Sequence, residues 1–283
     1  MAKHYEALQR AEAERKRKAG LGPEPSGSAA VGWDTTPHSA PKPKRRVRKL
    51  FRNASESVSN AEDSANELNK RRVAILQPES FASEQFRMLR GRIDALATQQ
   101  KLQTVAVTSA NPGEGKSTAS INLAVVTAMS VGRKVLLVDC DLRRPKVHKT
   151  LGLAPQSGLA EVLLQSSTFE DSVINVDSLG LDVLCVRSLP GNPSELLASA
   201  QMKQMLAMAA EVYDQIILDT PACLGLPDSK TISELSDGIL VIVRADVTRK
   251  EDVDAVLEIL DRRRLIGMVL NGVEASGSQY GYY

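Results

Sequence analysis

The sequence predicts an α/β fold, in which a mostly parallel central sheet lies between two layers of helices. Apolar segments of strand length alternate with segments of helical period between residues 105 and 270. Continuous apolar strands separated by helices are typical of a parallel sheet that is covered on both faces. Polar residues follow these strands directly, at the carboxyl ends where such sheets bind ligands. The two observations together predict a three-layer sandwich with a binding crevice at one edge of the sheet.

The ordered part of the chain is predicted to begin near Arg72. Phe86, Leu89 and Ile93 recur with a helical period, and Asn192 and Thr248 each open a pattern of helix-capping residues. In chain order we expect an edge strand at 73–76, a helix at 84–97, a strand at 105–107, a helix around 121–128, strands at 135–139 and 181–186, a helix at 192–212, strands at 216–219 and 239–243, a helix at 248–264, and a last strand at 268–270.

Length and composition limit the class of protein. At 283 residues the chain has room for one α/β domain of about 200 residues with extensions. No apolar run approaches the ~20 residues that a membrane helix needs, and the charged N-terminus shows no signal peptide. Cys140, Cys185 and Cys223 lie far apart, which gives neither a disulfide framework nor a metal-binding spacing. The expected location is therefore the reducing cytoplasm.

Positive charge is concentrated in the first part of the chain. The net charge is +2, but residues 1–50 contain twelve Lys/Arg and five Asp/Glu. Residues 1–71 are therefore interpreted as a charged and largely disordered arm. Its basic cluster at 42–49, KPKRRVRK, is either a solvated linker or a contact with an anionic membrane surface or a partner beside the membrane. Nucleic acid is not expected as a partner, because no aromatic residues interleave with these charges.

One turn, SANPGEGKST at residues 109–118, lies at the centre of the predicted fold. A strand, a glycine-containing loop, Lys-Ser and a helix follow one another in the order typical of a nucleotide phosphate site. The glycines allow backbone N–H groups to turn inward, and the helix N-terminus adds partial positive charge. Lys116 is predicted to reach the outer phosphates, and the Ser117 hydroxyl to hold Mg²⁺. The predicted nucleotide-binding residues are Pro112, Gly113, Glu114, Gly115, Lys116, Ser117 and Thr118.

The loop departs from the strict phosphate-loop pattern at one position. That pattern requires glycine at position 110, where this chain has Ala110. The alternative interpretation is a glycine-rich turn that binds nothing. The strand before the turn and the helix after it favour the phosphate site.

Three aspartates follow predicted strands: Asp139 and Asp141 in VDCDLRRP, and Asp219 in IILDTP. Carboxylates beside a phosphate site are costly unless a cation neutralises them, and Mg²⁺ is the natural cation. Asp219 has the position of a residue that holds the metal through water. Asp139, close to the expected γ-phosphate, could act as a base, orient the attacking group or bind the metal. Asp141 could share the metal. Any one of them could instead be a helix-capping aspartate, and Arg143 and Arg144 either bind phosphate or carboxylates or lie exposed.

These segments resemble the motifs of a known family. SANPGEGKST, VLLVDCDLRRP and YDQIILDTP are similar to the three Walker motifs of the bacterial tyrosine kinases of capsule and exopolysaccharide biosynthesis. GLAEVL, GNPSELL, VIVRADVT and GMVLNGV resemble further segments of that family. The resemblance implies a P-loop NTPase-like kinase domain at 72–274 that uses ATP and Mg²⁺. It also implies that Lys116 contacts the phosphates, and that Asp139, Asp141 and Asp219 carry catalysis and Mg²⁺ binding. The related partition and cell-division ATPases usually have a lysine where this chain has Asn111, which favours the kinase.

The resemblance also implies an assembly. In EQFRMLR, Glu84, Arg87 and Arg90 match an E-x-x-R-x-x-R motif that the family uses to assemble rings. We expect these three residues on the helix side opposite Phe86 and Leu89, where the alternative is a solvated charged face. The implied partners are further copies of the chain and a separate membrane-embedded regulator of polysaccharide chain length. That partner would recruit the cytoplasmic kinase to the inner face of the cell membrane.

The tail of the chain supports the kinase interpretation independently. Three of the five tyrosines, Tyr280, Tyr282 and Tyr283, lie in the last four residues, flanked by Gly, Ser and Gln. Residues 275–283 are therefore predicted to be a flexible tail that presents phenols for phosphorylation. An inert terminus is the alternative interpretation.

The sequence analysis leads to an ATP-dependent protein-tyrosine autokinase that phosphorylates its own tail and regulates polysaccharide polymerisation and export. The competing hypothesis is a non-kinase ATPase switch of the partition or cell-division type, which assembles on a membrane partner. A kinase-derived scaffold with residual nucleotide binding is a third hypothesis.

Overall fold

The computed structural model describes residues 72–273. Within these residues, seven strands form one sheet: β1 Thr104–Ser109, β2 Val135–Asp139, β3 Val173–Val176, β4 Leu181–Leu184, β5 Gln215–Asp219, β6 Gly238–Arg244 and β7 Leu265–Asn271. Their order across the sheet is β3-β4-β2-β5-β1-β6-β7. Neighbouring strands are parallel except for β3 and β4, which are antiparallel. The prediction of a mostly parallel sheet is confirmed.

Helices connect the strands. The α-helices are α1 Val73–Leu76, α2 Phe81–Ala97, α3 Lys116–Ala128, α4 Val147–Leu151, α5 Leu159–Leu163, α6 Phe169–Ser172, α7 Pro193–Leu197, α8 Ala200–Val212, α9 Asp228–Glu234 and α10 Lys250–Ile259. Two 3₁₀ turns lie at Asp177–Leu179 and Arg262–Arg264. In the described part of the chain, no helix combines the length and the apolar character needed to span a bilayer.

Both faces of the sheet are covered, as the apolar strands predicted. Along β2, Leu136 and Val138 enter one core cluster, which also contains residues of α5, α7 and α8. Leu137, which points to the other face, belongs to a second cluster with residues of α2 and α3. The two clusters are the interfaces of a three-layer sandwich.

The pairing of β6 with β7 contains one irregularity. Ile239 pairs with Leu265, but the next residue, Leu240, pairs with Gly267. Ile266 is therefore an extra residue in β7, and the register after this bulge is shifted by one. As a result Arg244, at the end of β6, lies opposite Asn271, at the end of β7.

The predicted edge strand at 73–76 is wrong, because these residues form the short helix α1. The Ala74 N–H donates to the Asn122 side chain on α3 at 2.8 Å, and Ser83 on α2 donates to the carbonyl of Gln77 at 2.7 Å. The backbone polar groups of this segment thus find partners on two helices. The pattern VAIL is equally compatible with a buried helical turn, since it is too short for its period to decide.

Two predicted helices have different bounds in the structure. The helix expected at 192–212 is broken into α7 and α8, since Ser199 is extended and its side chain accepts from the Met202 N–H at 3.2 Å as a new cap. Pro193 does begin α7, but the Asn192 side chain makes no capping bond. The helix expected at 248–264 runs only from Lys250 to Ile259. Thr248 does not cap it, since its hydroxyl donates to Glu114 instead.

The sequence analysis also missed β3. This strand is only half-buried and lacks the continuous apolar run that identified the others. It pairs with β4 through a tight connection in which Gly180 is left-handed, with φ of 60°.

We expect Asn122→Ala to lower the free energy of unfolding by about 1–3 kcal/mol, because it leaves the buried Ala74 N–H without its acceptor. Asn122 itself is fully buried and also donates to the Thr118 carbonyl at 2.7 Å. Urea unfolding at neutral pH measures this loss. Asn175→Ala on β3 is the matched control, since Asn175 is exposed and bonds only to Asp182 among the described partners; an equal loss in both variants would contradict the role of Asn122.

Candidate nucleotide site

The phosphate loop lies between β1 and α3. Gly113 and Gly115 have φ of 90° and 100°, a left-handed region that strongly favours glycine. A Cβ added at Gly115 would lie 2.0 Å from Asn271 Nδ2, so the space is also closed to a side chain. Ala110 is buried against β6 and α10 and does not have a positive φ. Its backbone therefore does not require the glycine of the strict pattern.

The backbone N–H groups of the loop are left available. Residues 113–118 donate no backbone hydrogen bond to any acceptor among residues 72–273. By contrast, the Asn111 N–H donates to Glu114 Oε2 at 2.9 Å. Free N–H groups at the start of a helix, together with its partial positive charge, form an anion site. The geometry fits a phosphate group.

Lys116 is the cation of this site. It begins α3 and is only 6% exposed, with its Nζ 3.5 Å from Asp141 Oδ2. Asp141 Oδ1 in turn accepts from the Arg144 N–H at 2.9 Å. A buried ammonium and carboxylate at this separation attract each other strongly. This attraction only partly offsets the hydration that both groups lose on burial. Lys116 is therefore held inside the loop by a single long ion pair, within reach of a larger anion.

The two other aspartates lie side by side at the strand ends. Asp139 on β2 pairs in register with Asp219 on β5, and Asp219 pairs with Val107 on β1. Both carboxylates are fully buried. The structure therefore brings together Lys116, Asp139, Asp141 and Asp219, as the sequence analysis expected.

Asp219 has one oxygen atom without a partner. Its Oδ1 accepts from the Ser120 hydroxyl at 3.1 Å, and the nearby Ser117 side chain acts to lower the pKa of this carboxyl. The buried Oδ2 has no hydrogen-bond partner. Burial raises the pKa of Asp219 above its usual range, although the charge of Lys116 opposes this shift. An orphaned carboxylate oxygen beside a serine hydroxyl and a phosphate loop fits a divalent cation with oxygen ligands.

Asp139 is bonded differently. Its Oδ1 accepts from the Asp141 N–H, and its Oδ2 from the Lys146 and Val147 N–H groups, all at 3.1 Å. These bonds hold the loop after β2 against the start of α4. Burial, with the neighbouring Asp219 charge adding to it, raises the pKa of Asp139 to about 8. In this arrangement Asp139 orients the loop, and its part in Mg²⁺ binding or transfer stays a prediction.

The described residues contain no group of three or more His, Cys, Asp or Glu that could hold a metal by itself. This agrees with the donor set above, since Mg²⁺ is commonly held by one or two protein oxygens and completed by water and substrate phosphates. Ser117 and Asp219 fit such a site best.

The comparisons with known proteins agree with this site. A family model described as an AAA domain matches residues 102–265. Tyrosine-protein kinase YwqD of Bacillus subtilis (strain 168) is 40% identical over 214 residues, which cover 75% of this chain and 90% of that protein. The chain belongs to the bacterial tyrosine-protein kinase family.

Solved structures of this family have the same fold. The kinase domain of the Escherichia coli tyrosine kinase ETK aligns with a TM-score of 0.69 at 30% identity, covering 75% of this chain and 83% of that chain. The chimerical protein CapA2B2 aligns with a TM-score of 0.66 at 34% identity, covering 70% and 88%. In longer members of the family the match covers a smaller share of the relative's length. It covers 29% of tyrosine-protein kinase etk of Escherichia coli (strain K12).

In this kinase-family chain, one predicted interface residue is placed differently than expected. Glu84 and Arg87 are bonded to each other on α2. Arg90, however, donates to the Val126 carbonyl at 2.7 Å and to the Ser130 hydroxyl at 2.8 Å, at the end of α3. The expectation that it lies opposite Phe86 is wrong, because residues four apart share a helix side. The structure does not test the interface itself.

Two other predictions have mixed outcomes. Arg143 pairs with Asp228 at 2.8 Å and donates to Ser194 at 2.9 Å, so it binds a carboxylate within the chain. The Arg144 side chain lies exposed. The arm at 1–71 and the tyrosines at 280–283 lie outside the described residues, so the predictions made for them stay predictions.

The sequence analysis missed the residues that hold the loop from outside. Glu114 was expected to bind nucleotide, but its buried carboxylate accepts from Thr248 at 2.6 Å and from the Asn111 N–H. Arg244 donates to the Gly113 carbonyl at 2.9 Å, and Asn271 to the Glu114 carbonyl at 2.9 Å. No spacing in the sequence connects these residues to the loop. They lie in VIVRADVT and GMVLNGV, which resemble family segments, but that resemblance assigned them no role.

We expect the unliganded protein to lose stability as the pH rises from about 5 to about 8. The pKa of Asp139 is raised from its ordinary 3.8 to about 8. Such a carboxyl stabilises the fold below its ordinary pKa, and this stabilisation is lost as the pH approaches the raised value. Asp139→Asn should therefore flatten the pH dependence of the free energy of unfolding, whatever its effect at one pH.

Denaturant unfolding across this pH range, without nucleotide, measures the slope. Asp246→Asn is the control, because Asp246 is exposed and asparagine tolerates its positive φ of 58°. A slope that Asp139→Asn leaves unchanged would contradict the assignment of the pH dependence to this carboxyl.

Proposed function

We propose that this chain is an ATP-dependent protein-tyrosine kinase that phosphorylates Tyr280, Tyr282 and Tyr283 of its own tail. One observation carries the proposal: buried Lys116 and the orphaned oxygen of Asp219 flank a loop whose N–H groups are free. Family membership supports tyrosine as the acceptor. The tail offers three phenols in four residues.

The loop would bind the phosphates of ATP. Free N–H groups of residues 113–118 would donate to the phosphate oxygens, and the start of α3 would add its partial positive charge. Lys116 would move from Asp141 to the outer phosphates, because a triphosphate carries more negative charge than one carboxylate. Pro112 and Gly113 are exposed at the rim of the loop, whereas Thr118 lies half-buried on the first turn of α3.

Ser117 and Asp219 would hold Mg²⁺, with Asp139 as a further candidate. The ion supplies charge neutralisation for the transferring phosphoryl group. A bound cation would give the orphaned oxygen of Asp219 a partner and would favour the charged form of this carboxyl. The Ser120 hydroxyl keeps this carboxylate oriented by its hydrogen bond to Oδ1.

The transfer itself forms a bond between the tyrosine oxygen and the γ-phosphorus and breaks the bond between that phosphorus and ADP. The phenol proton leaves to a carboxylate. We propose Asp139 or Asp141 as the acceptor, since Asp141 pairs with Lys116 and its N–H donates to Asp139 at the end of β2. In the unliganded site the pKa of Asp139 is raised to about 8, so this carboxyl would accept the phenol proton only when bound Mg²⁺ favours its charged form.

Asn111 supports the kinase over an ATPase switch. Its side chain donates to Asp252 on α10 at 3.0 Å, so this position carries no cation for a neighbouring active site. The partition and cell-division ATPases that the sequence also resembles usually have lysine there.

The proposed partners follow from the same resemblance. Copies of the chain would assemble into a ring in which Glu84 and Arg87 contact a neighbour, with Arg90 supporting α2 from within. A separate membrane-embedded regulator of polysaccharide chain length would recruit the cytoplasmic kinase to the inner face of the membrane. The basic cluster at 42–49 is a candidate for that contact.

We expect Lys116→Met to lower autophosphorylation by about a hundredfold or more, because it removes the cation beside the transferring group. The measurement is phosphotyrosine on purified protein with Mg²⁺-ATP, mapped by mass spectrometry to the tail. Lys203→Met is the control, since Lys203 is an exposed lysine on α8. Wild-type labelling by the Lys116 variant would overturn the site. ATP hydrolysis by the wild-type protein without any phosphotyrosine would favour the ATPase switch.

We also expect transfer between subunits. The ten residues after Val273 span no more than about 33–36 Å when extended, and β7 ends beside its own loop. A tyrosine in the last four residues would have to reverse direction to enter its own site, whereas a neighbour's site requires no reversal.

Mixing two variants tests this expectation. One subunit carries Lys116→Met and an intact tail, and the other is active but has Tyr280, Tyr282 and Tyr283 replaced by Phe. Label on the inactive subunit's tail supports transfer between subunits. If that tail stays unlabelled while wild-type protein labels itself at a rate independent of dilution, transfer is within one subunit.

A further inference from the structure

Two side chains outside the phosphate loop hold its peptide groups in place. Arg244 Nη1 donates to the Gly113 carbonyl, and Asn271 Nδ2 to the Glu114 carbonyl, each at 2.9 Å. The two donors come from the ends of β6 and β7, where Arg244 and Asn271 lie opposite each other in register. They therefore act on consecutive peptide groups from one rigid edge of the sheet.

The orientation of these peptides decides where their N–H groups point. A trans peptide is planar, so its N–H points away from its carbonyl, and the structure contains no cis peptide bond among residues 72–273. Arg244, by fixing the Gly113 carbonyl, directs the Glu114 N–H away from β6. Asn271, by fixing the Glu114 carbonyl, does the same for the Gly115 N–H. A phosphate site needs these groups to point into the loop.

The glycines of the loop make this restraint necessary. Gly113 and Gly115 both have positive φ, and glycine occupies positive and negative φ almost equally when nothing restrains it. The peptide groups between them would therefore rotate unless their carbonyls were held. Glu114 adds a third anchor, because its buried carboxylate accepts from Thr248 and from the Asn111 N–H.

We infer that Arg244 and Asn271 are positioning residues, which preset the N–H groups of the phosphate loop for polyphosphate before any ligand binds. The inference rests on the phosphate binding that is part of the proposed function. Neither residue needs to touch ATP for this role. Their loss should weaken binding of the polyphosphate itself, independently of base and ribose, because the ligand must then order the loop.

The test measures binding of two probes, Mg²⁺-ATP and Mg²⁺ with inorganic tripolyphosphate, by calorimetry at fixed salt. We expect Arg244→Met and Asn271→Leu each to raise the dissociation constants of both probes by about threefold to tenfold, the usual effect of one lost hydrogen bond. The factor should be the same for the two probes. Thermal unfolding of the unliganded variants checks that the fold is retained, which the exposed position of Arg244 favours.

Two controls match the chemical changes. Arg249→Met removes a cation from the same connection, but Arg249 is exposed and pairs with Asp252 rather than with a loop carbonyl. Asn175→Leu makes the same change at an exposed site on β3. Equal losses in variants and controls would overturn the inference, because a general change in charge or stability would then explain them.

The other outcomes are equally decisive. Weaker binding of Mg²⁺-ATP with unchanged binding of tripolyphosphate would overturn the inference in favour of a contact with base or ribose. Unchanged binding of both probes would overturn it while leaving the kinase proposal intact. Wild-type protein that binds neither probe would instead reject the proposed function, and the inference with it.

Discussion

The parallel pairing of β1, β5 and β2 is the constraint on which the site depends. Asp139, Asp219 and Val107 are paired across these strands, so β2 and β5 end at one level and β1 continues two residues beyond it. The chain that continues from β1 becomes the phosphate loop there, and Lys116 meets the carboxylates. Any fold that kept the loop but separated these strands would leave the buried aspartates without their neighbouring cation.

This constraint has an electrostatic cost. Asp139 and Asp219 are fully buried next to each other, and burial raises the pKa of both. Lys116 offsets part of this charge from one side, and backbone N–H groups solvate Asp139 from another. If both carboxyls ionised, the unliganded site would hold more negative charge than Lys116 balances, and the raised pKa values reflect this. The repulsion between these carboxyls lowers the stability of the unliganded protein, and a bound cation would relieve it.

Much of this arrangement could be predicted from the sequence. Continuous apolar strands identified the sheet, and the rule that parallel strands present their carboxyl ends together identified Asp139, Asp141 and Asp219 as neighbours of the loop. Two expectations failed for separate physical reasons. The segment at 73–76 is too short for a period to identify its structure, and Arg90, four residues after Phe86, lies on the same side of α2.

The contacts that span the sheet could not be predicted. Arg244 and Asn271 are 131 and 157 residues away from their partners in the loop, and hydrogen bonds to backbone carbonyls leave no residue pattern in the loop itself. Thr248 illustrates the same limit, because its local context is that of a helix cap. Its hydroxyl donates to Glu114 instead, since the folded chain brings a buried carboxylate close to it.

The extra residue in β7 has a consequence for how the chain tolerates changes in length. Without the bulge, Ile266 would pair with Leu240, the register set by Ile239 and Leu265 would continue, and Leu270 rather than Asn271 would lie opposite Arg244. An apolar side chain would then replace an amide at the loop, roughly 13 Å along the strand from the bulge. Insertions between α10 and β7 can be absorbed by the surface turn, but one inside β7 alters the loop. The length of β7 therefore determines which of its side chains contacts the phosphate loop after β1.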